Sequence, residues 1–507
     1  MEEDHHATGG AEAMVRVDGA PAEATLSTGD GGTELRWRYC AGAAVERILS
    51  LEADVLGVEA NGTEFVVRAF VADDAATSKP KSCCAAGKAR GKRRRRRRRR
   101  RDFVFEMAGG EGAAAAAAWA EMLRGCLDSF GRPRRLFVLV NPFGGKRCAS
   151  KIYEAEINPM LEAAGVEITM QETQYRGHAR EVASCLDLAR YDGIVCVSGD
   201  GVLVEVVNGI LQRTDWEDAI KMPIGIVPAG TGNGMAKSLL HAASETCSIS
   251  DALFAIIRGH KQALDVCTIV QGERRVFSVL SVTWGLVADV DIESEKYRWM
   301  GSARFDFYAL VRVMNLRRYH GSIHFVPAPG NEAYGEPVKE IGSSIVERLA
   351  QNGESQVCSY QGPPADFQGS DWRSIDGPFV AVCINNVPWA AETVMAAPEA
   401  KFSDGYMDAV VIRDCPKADL LALLLKMSDG SYVKSPYVTY LKVKSFRLSP
   451  GNLVENPRRG GIIDVDGEVI ARGEATYGRN QHQDLMAYGP SLQLTVHQGL
   501  ATVYCPK

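Results

Sequence analysis

The rhythm of hydrophobic and polar positions changes along this chain, and each rhythm predicts a different kind of element. Between residues 35 and 107, apolar residues come in short runs with polar partners, at 35–39, 54–58, 64–70 and 103–107, the spacing of half-buried strands. A helix is predicted from about residue 112 to 127, where Trp119 and Leu123 sit among alanines. From Leu136 the runs become almost unbroken and recur about every thirty residues, at 136–140, 166–170, 193–197 and 224–227. Helical patterns lie between them, for instance at 148–164 and 202–211. Continuous apolar strands alternating with helices predict a doubly wound parallel sheet covered on both faces. Beyond residue 262 strands dominate (263–270, 275–282, 321–326, 378–384, 408–412, 440–448 and 461–470), with one helix at 302–316. These predict a second, largely antiparallel β-sandwich domain over 262–500, with a surface excursion at 329–375.

Composition adds the regions without a rhythm. Residues 1–33 are rich in Ala, Gly, Thr and acids and are expected to be disordered, and 72–101 is expected to be a disordered insertion. The strands at 34–130 with their closing helix resemble a pleckstrin-homology-like module. At 507 residues, with 46% hydrophobic and 24% charged positions, the chain has the composition of a globular protein of several domains. The opening Met1-Glu2-Glu3-Asp4 predicts no secretory leader, and the densest apolar cluster, 420–425, is too short to span a bilayer. Thirteen cysteines without a CxxC pair predict reduced, buried thiols in a cytoplasmic protein rather than disulfides or zinc.

Net charge is −5, but Arg93 through Arg101 is an unbroken run of nine arginines, and removing it leaves −5 − 9 = −14. The body of the protein is acidic, which argues against nucleic acid as a general partner. The run fits attraction to anionic lipid and, equally, binding of RNA or an importin-like receptor, or a solvated low-complexity loop.

Three glycine-rich loops follow three of the parallel strands: Asn141-Pro142-Phe143-Gly144-Gly145-Lys146, Ser198-Gly199-Asp200-Gly201, and Pro228-Ala229-Gly230-Thr231-Gly232-Asn233. Glycine lets backbone N–H groups approach phosphate oxygens without a Cβ clash, and a helix N-terminus just after the loop adds donors. One such loop is weak evidence, whereas three at the carboxyl edge of one sheet predict a phosphate site. No GxxxxGK[ST] loop and no Rossmann GxGxxG is present.

Together with Thr173 and Gly177-His178-Ala179, these loops resemble the diacylglycerol-kinase-type catalytic domain, expected over 134–261. The stretch from Phe277 to Arg298, including Ser281, Trp284-Gly285 and Asp289-Val290-Asp291, resembles sphingosine kinases, particularly plant ones, and Asp466-Gly467-Glu468 completes the set. The resemblance implies phosphorylation of the primary hydroxyl of a sphingoid long-chain base by ATP with Mg2+, at a peripherally contacted intracellular membrane. It implies Asp200 as the proton acceptor. Asn141, Gly144, Gly145, Lys146, Thr173, Ser198, Gly199, Gly201, Gly230, Thr231, Gly232, Asn233, Arg298, Arg304, Asp466, Gly467 and Glu468 would face the nucleotide. Ser281 and Asp291 would face the polar head of the base.

Each role has a plainer alternative. Asp200 could cap a helix, Asn141 could only make an Asn-Pro turn, and Arg298 and Arg304 could pair with neighbouring acids. Asp291 could belong to a solvated acidic stretch, and Asp466-Gly467 reads equally as a type I′ hairpin turn. His178 is expected to organise its loop. No zinc-ligand spacing is present, and the Mg2+ ligands and the oligomeric state are not legible. Rival functions are phosphorylation of ceramide or diacylglycerol, and a non-catalytic lipid-binding scaffold.

Overall fold

A computed structural model describes residues 11–29, 32–40, 46–72, 98–107, 112–145, 147–338, 359–363, 371–476 and 485–507. The polar–apolar alternation at its N-terminal end becomes seven strands: β1 (Ala11–Val17), β2 (Ala20–Gly29), β3 (Gly32–Tyr39), β4 (Glu46–Ser50), β5 (Val55–Asn61), β6 (Glu64–Ala72) and β7 (Arg98–Met107). They form one antiparallel sheet in the order β4-β3-β2-β1-β7-β6-β5, and the helix Gly112–Ser129 packs Trp119 and Leu123 against its core of Trp37, Phe65, Phe103 and Phe105.

Two expectations are corrected here. Residues 11–29 are not disordered, because Val15, Val17, Ala22, Ala24 and Leu26 fall on one face at period two and are buried. Alanine fills that face without announcing itself as hydrophobic. The arginine-rich insertion also ends earlier than residue 101, since Arg98 to Arg101 open β7 and pair with Ala72 to Ala69 of β6. Residues 73–97 lie outside the described residues.

The parallel sheet is β9-β8-β10-β11, built from β8 (Arg135–Val140), β9 (Glu167–Glu172), β10 (Gly193–Ser198) and β11 (Ile224–Pro228). Successive residues serve opposite faces. Leu136, Val138, Val140, Val195 and Val197 pack on helices at one side, whereas Phe137, Leu139, Ile194 and Cys196 pack on the helices His178–Cys185, Asp200–Leu211 and Gly234–Ala242 at the other. The predicted double winding is realised here.

The remaining strands are β12 (Lys261–Gln271), β13 (Arg274–Ser278), β14 (Ser281–Gly285), β15 (Tyr319–Pro327), β16 (Glu336–Pro337), β17 (Arg373–Asp376), β18 (Phe379–Asn385), β19 (Trp389–Ala391), β20 (Val394–Met395), β21 (Met407–Arg413), β22 (Val438–Leu453), β23 (Ile462–Val465), β24 (Glu468–Arg472) and β25 (Leu492–Tyr504). Their pairing is antiparallel; β19 and β20 pair only with each other, and the others continue the parallel sheet rather than forming a separate one. The last strand, β25, runs past the expected boundary at residue 500 and lies parallel to β11, with Val503 opposite Ile224. The excursion at 329–375 contributes β16 and β17, which pair with each other and through β17 with β15; residues 339–358 and 364–370 of it lie outside the described residues. Trp284, Phe325, Phe379 and Phe446 fill the interior of this domain. The cysteines of the described residues are free, and Cys196 and Cys383 are buried in strands.

The N-terminal sheet is docked on the parallel-sheet domain. Arg132 donates to the carbonyls of Leu51 at 2.8 Å, Val55 at 2.9 Å and Leu56 at 3.0 Å. Gly57 approaches so closely that a Cβ there would stand 2.2 Å from the Ala163 carbonyl oxygen.

Candidate active site

The three glycine loops leave β8, β10 and β11 at their carboxyl ends and touch through bare backbone. A Cβ on Gly230 would lie 2.2 Å from the Cα of Gly199, and one on Gly145, whose φ is +51°, would lie 2.8 Å from the Ala229 carbonyl oxygen. No side chain fits between these loops. Asn233, left-handed at φ 57°, accepts from the Gly230 N–H at 2.9 Å and donates to Glu392 at 2.6 Å. Glu392 follows β19 and donates its own N–H to the Gly232 carbonyl at 2.8 Å, so the third loop is gripped from the β domain as well. Asn141 accepts from the Phe143 N–H at 3.0 Å, the turn-forming use of that residue. Ser198 is buried with its hydroxyl on the Gly199 carbonyl, and Thr173 is buried just past β9, its N–H on the Val140 carbonyl. Thr231 and Gly144 lie within the loops, and Lys146 lies outside the described residues.

Asp200 opens the helix Asp200–Leu211, yet its carboxylate reaches the next glycine loop. The two oxygens accept from the N–H groups of Gly234 at 2.8 Å and Met235 at 3.0 Å. It thus caps the Gly234–Ala242 helix rather than its own. A Cβ on Gly232 would stand 3.4 Å from one of these oxygens. Burial pushes the Asp200 pKa up, the two amides oppose that, and the charge of Glu392 adds to it.

The β domain supplies the opposite side. Asp291, on the helix Leu286–Glu293, has its pKa pushed up to about 6, chiefly by burial, with Arg304 opposing and the Glu295 and Asp200 charges adding. Arg304 is buried, 3.8 Å from the Asp291 carboxylate and 3.5 Å from its carbonyl oxygen. Arg298 is exposed and pairs with Glu295 at 3.2 Å, the plainer of its two readings. Asp466 and Gly467, at φ 52° and 86°, make the tight turn between β23 and β24. Both Asp466 oxygens are filled from within, by the Ser278 hydroxyl at 2.8 Å and the N–H groups of Val279 at 3.0 Å, Leu280 at 3.0 Å and Ser281 at 2.7 Å. Asp466 therefore fixes Ser281 and aims the turn, and a Cβ on Gly467 would stand 3.9 Å from the Asp291 carboxylate. Glu468 pairs with Arg176. His178 accepts from the Gln174 N–H at 3.0 Å, so it holds its own loop, and Glu205 accepts from Gly177 and Ala179 at 2.9 and 3.0 Å.

The fold thus gathers the loops, Asp200 and Asn233 on one side and Ser281, Asp291, Arg304 and the 466–468 turn on the other, with Arg298 turned out to solvent. Sequence reasoning passed over Glu392, Arg176 and Asp464. The first two carry no motif. Asp464 has one signal, a lone acid in the apolar run Ile462-Ile463-Asp464-Val465. Among the described residues no group of three His, Cys, Asp or Glu side chains is placed to hold a metal.

This arrangement coincides with known families. The diacylglycerol kinase catalytic domain matches residues 135–269, and the YegS C-terminal NAD kinase beta sandwich-like domain matches residues 280–478. Fold and site therefore define a lipid kinase of the diacylglycerol kinase type. The chain is 49% identical to sphingosine kinase 2 of Arabidopsis thaliana, covering 97% of each protein, and 53% identical to sphingosine kinase 1 of that plant over 80% of this chain and 81% of the relative. It is 34% identical to human sphingosine kinase 1 over 69% of this chain and 89% of the relative. The chain belongs to the sphingosine kinase family.

Proposed function

We propose that this protein transfers the γ-phosphoryl group of ATP to the primary hydroxyl of a sphingoid long-chain base, releasing the 1-phosphate and ADP. The observation that carries this reading is Asp200, a half-buried carboxylate tied to the third glycine loop and close enough to Asp291 for its charge to raise that residue's pKa. Backbone N–H groups of Gly144, Gly145, Gly199, Gly201, Thr231 and Gly232, with Asn141, Thr173 and Ser198 behind them and Gly230 tied to Asn233 to shape the third loop, receive the nucleotide. The lipid hydroxyl is a poor nucleophile, and Asp200 accepts its proton as the phosphoryl group passes. Mg2+ accompanying ATP would neutralise phosphate charge.

Asp291 pairs with the ammonium of the base, beside Ser281, and thereby selects against ceramide and diacylglycerol, which lack that charge. Arg304 orients Asp291, and Asp466 is a positioning residue. Arg298 and Glu468 stand at the rim on the nucleotide side.

Residues 11–129 form a pleckstrin-homology-like module in this reading, supported by the seven antiparallel strands and the closing Trp119 helix. Peripheral membrane contact is supported by a cluster of exposed apolar side chains. Trp299 is 81% exposed, Met314 63% and Leu425 74%, and the Met314 helix packs beside the Leu425 helix. Among the described residues no helix is long and apolar enough to cross a membrane.

Purified protein with Mg-ATP is offered sphingosine, phytosphingosine, ceramide and diacylglycerol separately, with Asp200→Asn as control. Phosphate on the free bases, lost in the variant, is expected. Phosphate on ceramide or diacylglycerol instead would sink the reading of Asp291.

A further inference from the structure

Asp464 has no part in the reading above, yet it is the carboxyl least accounted for by the fold. It is 3% exposed, on the face of β23 turned toward the Asp291 helix, where its neighbour Ile462 packs on Ala288 and Ile292. One oxygen accepts from the Thr283 hydroxyl at 3.2 Å, and the other, Oδ1, has no hydrogen-bond partner. A buried carboxyl oxygen is normally satisfied. Here it is left open, two residues from the turn that frames the proposed head-group site.

The cross-strand register places this oxygen between two environments. Asp464 stands opposite Thr283, Thr283 opposite Cys383, and Cys383 opposite Val410, so the four lie in one row on one sheet face. The adjacent row begins at Ser281. Cys383 and Val410 open an apolar cluster with Leu286, Val313, Leu420 and Leu423, under the helices Leu286–Glu293, Ala303–Met314 and Lys417–Leu425. The Asp464–Thr283 pair therefore stands at the step from the polar head site to the apolar region. Burial, with the charges of Asp291, Asp466 and Glu468 beside it, pushes the Asp464 pKa well up, which favours the protonated carboxyl, a donor as well as an acceptor. That is the hydrogen-bonding pattern of a partner for a hydroxyl, not of a counter-ion for an amine.

We propose that Asp464 and Thr283 form a subsite that reads a hydroxyl on the carbon chain of the base just beyond its amino carbon. The proposal rests on the sphingoid-base reading of the site. The hydroxyl sits on the third carbon, common to these bases, or on the fourth, as in phytosphingosine, and the two are separable by substrate.

The test measures kcat/KM for sphinganine, phytosphingosine and 3-deoxysphinganine with wild-type protein, Asp464→Ala and Thr283→Val. The expected result is that both variants shrink, by about tenfold or more, the advantage of a base carrying the hydroxyl over its analogue lacking it, as loss of one buried hydrogen bond implies. Phytosphingosine against sphinganine reports the fourth carbon, and sphinganine against 3-deoxysphinganine the third. Equal losses on all three bases would overturn the proposal, since a structural prop or a partner for the shared ammonium acts on each alike, and so would no change at all. Should Asp464→Ala fail to give a cooperative thermal transition, Thr283→Val, which keeps the branched shape a strand prefers, decides alone. Wild-type protein inactive on every base would instead remove the underlying reading, a result distinct from an active enzyme with unchanged ratios.

Discussion

At the scale of single residues, burial decides how the acids behave. Asp200 works as a proton acceptor only when ionised, and burial raises its pKa above that of an ordinary carboxylate. Asp291, pushed up to about 6, pairs with an ammonium only when ionised. Both effects have the same sign: activity is present above the raised values and is lost as pH falls through them. The acid limb of kcat/KM for sphingosine is therefore expected near pH 6, where Asp291 titrates, and a limb near pH 4 would contradict the assignment of Asp291. Asp291→Asn is expected to lower kcat/KM for sphingosine by about 10- to 100-fold, the worth of a charge-assisted contact, while thermal stability changes little. The measurement is kcat/KM for sphingosine, and an unchanged value would remove Asp291 from head-group recognition. The roles at this scale were only partly legible. Asp466-Gly467-Glu468 reads the same in sequence whether Asp466 faces a nucleotide or, as here, gives both oxygens to residues 278–281. Four donors arriving from almost two hundred residues away leave no local pattern.

At the scale of elements, the glycines divide into those the backbone requires and those it only permits. Gly230 and Gly199 meet backbone to backbone, so a methyl on Gly230, 2.2 Å from Cα, cannot be absorbed by a side-chain shift. Gly201 faces open space in the first turn of its helix. Gly230→Ala is therefore expected to lower the melting temperature of the unliganded protein. Gly201→Ala is expected to leave it unchanged or raise it slightly, since Ala is favoured over Gly in a helix by up to about 1 kcal/mol. Thermal stabilisation by Mg-ATP separates the two further. It should be lost in Gly201→Ala if that open space belongs to the nucleotide, and its persistence would place the phosphates elsewhere. The parallel strands and their loops were legible because unbroken apolar runs and glycine clusters are local signals. β1 and β2 were not, because their buried face is rich in alanine and β1 pairs with β7, about ninety residues away in the chain.

At the scale of the whole molecule, the domains are joined by more than linkers. β25 runs back beside β11, Asn208 of the parallel-sheet domain bonds Phe277 at the start of the β domain in both directions, and Arg132 binds three carbonyls of the N-terminal domain, at Leu51, Val55 and Leu56. Burial pushes the Arg132 pKa down only to about 10, so its charge persists at neutral pH and strengthens those bonds. A lipid substrate must reach a site held in this frame, and the exposed side chains of Trp299, Leu310, Met314 and Leu425 lie on the same helices that cover the apolar cluster beside Asp464, or immediately before them. If these side chains enter the bilayer, transfer of each apolar side chain contributes on the order of 1–2 kcal/mol, and the effect does not depend on headgroup charge. If the arginines of β7 dominate, binding requires anionic lipid and falls steeply with salt. Sedimentation with neutral and anionic vesicles at low and high salt distinguishes the two. Leu310→Gln with Leu425→Gln is expected to reduce binding to both vesicle types about tenfold or more, with activity on detergent-dispersed sphingosine retained. Binding that survives the double variant but disappears in high salt would assign membrane contact to the arginine strand and leave the apolar cluster as a cover for the lipid tail alone.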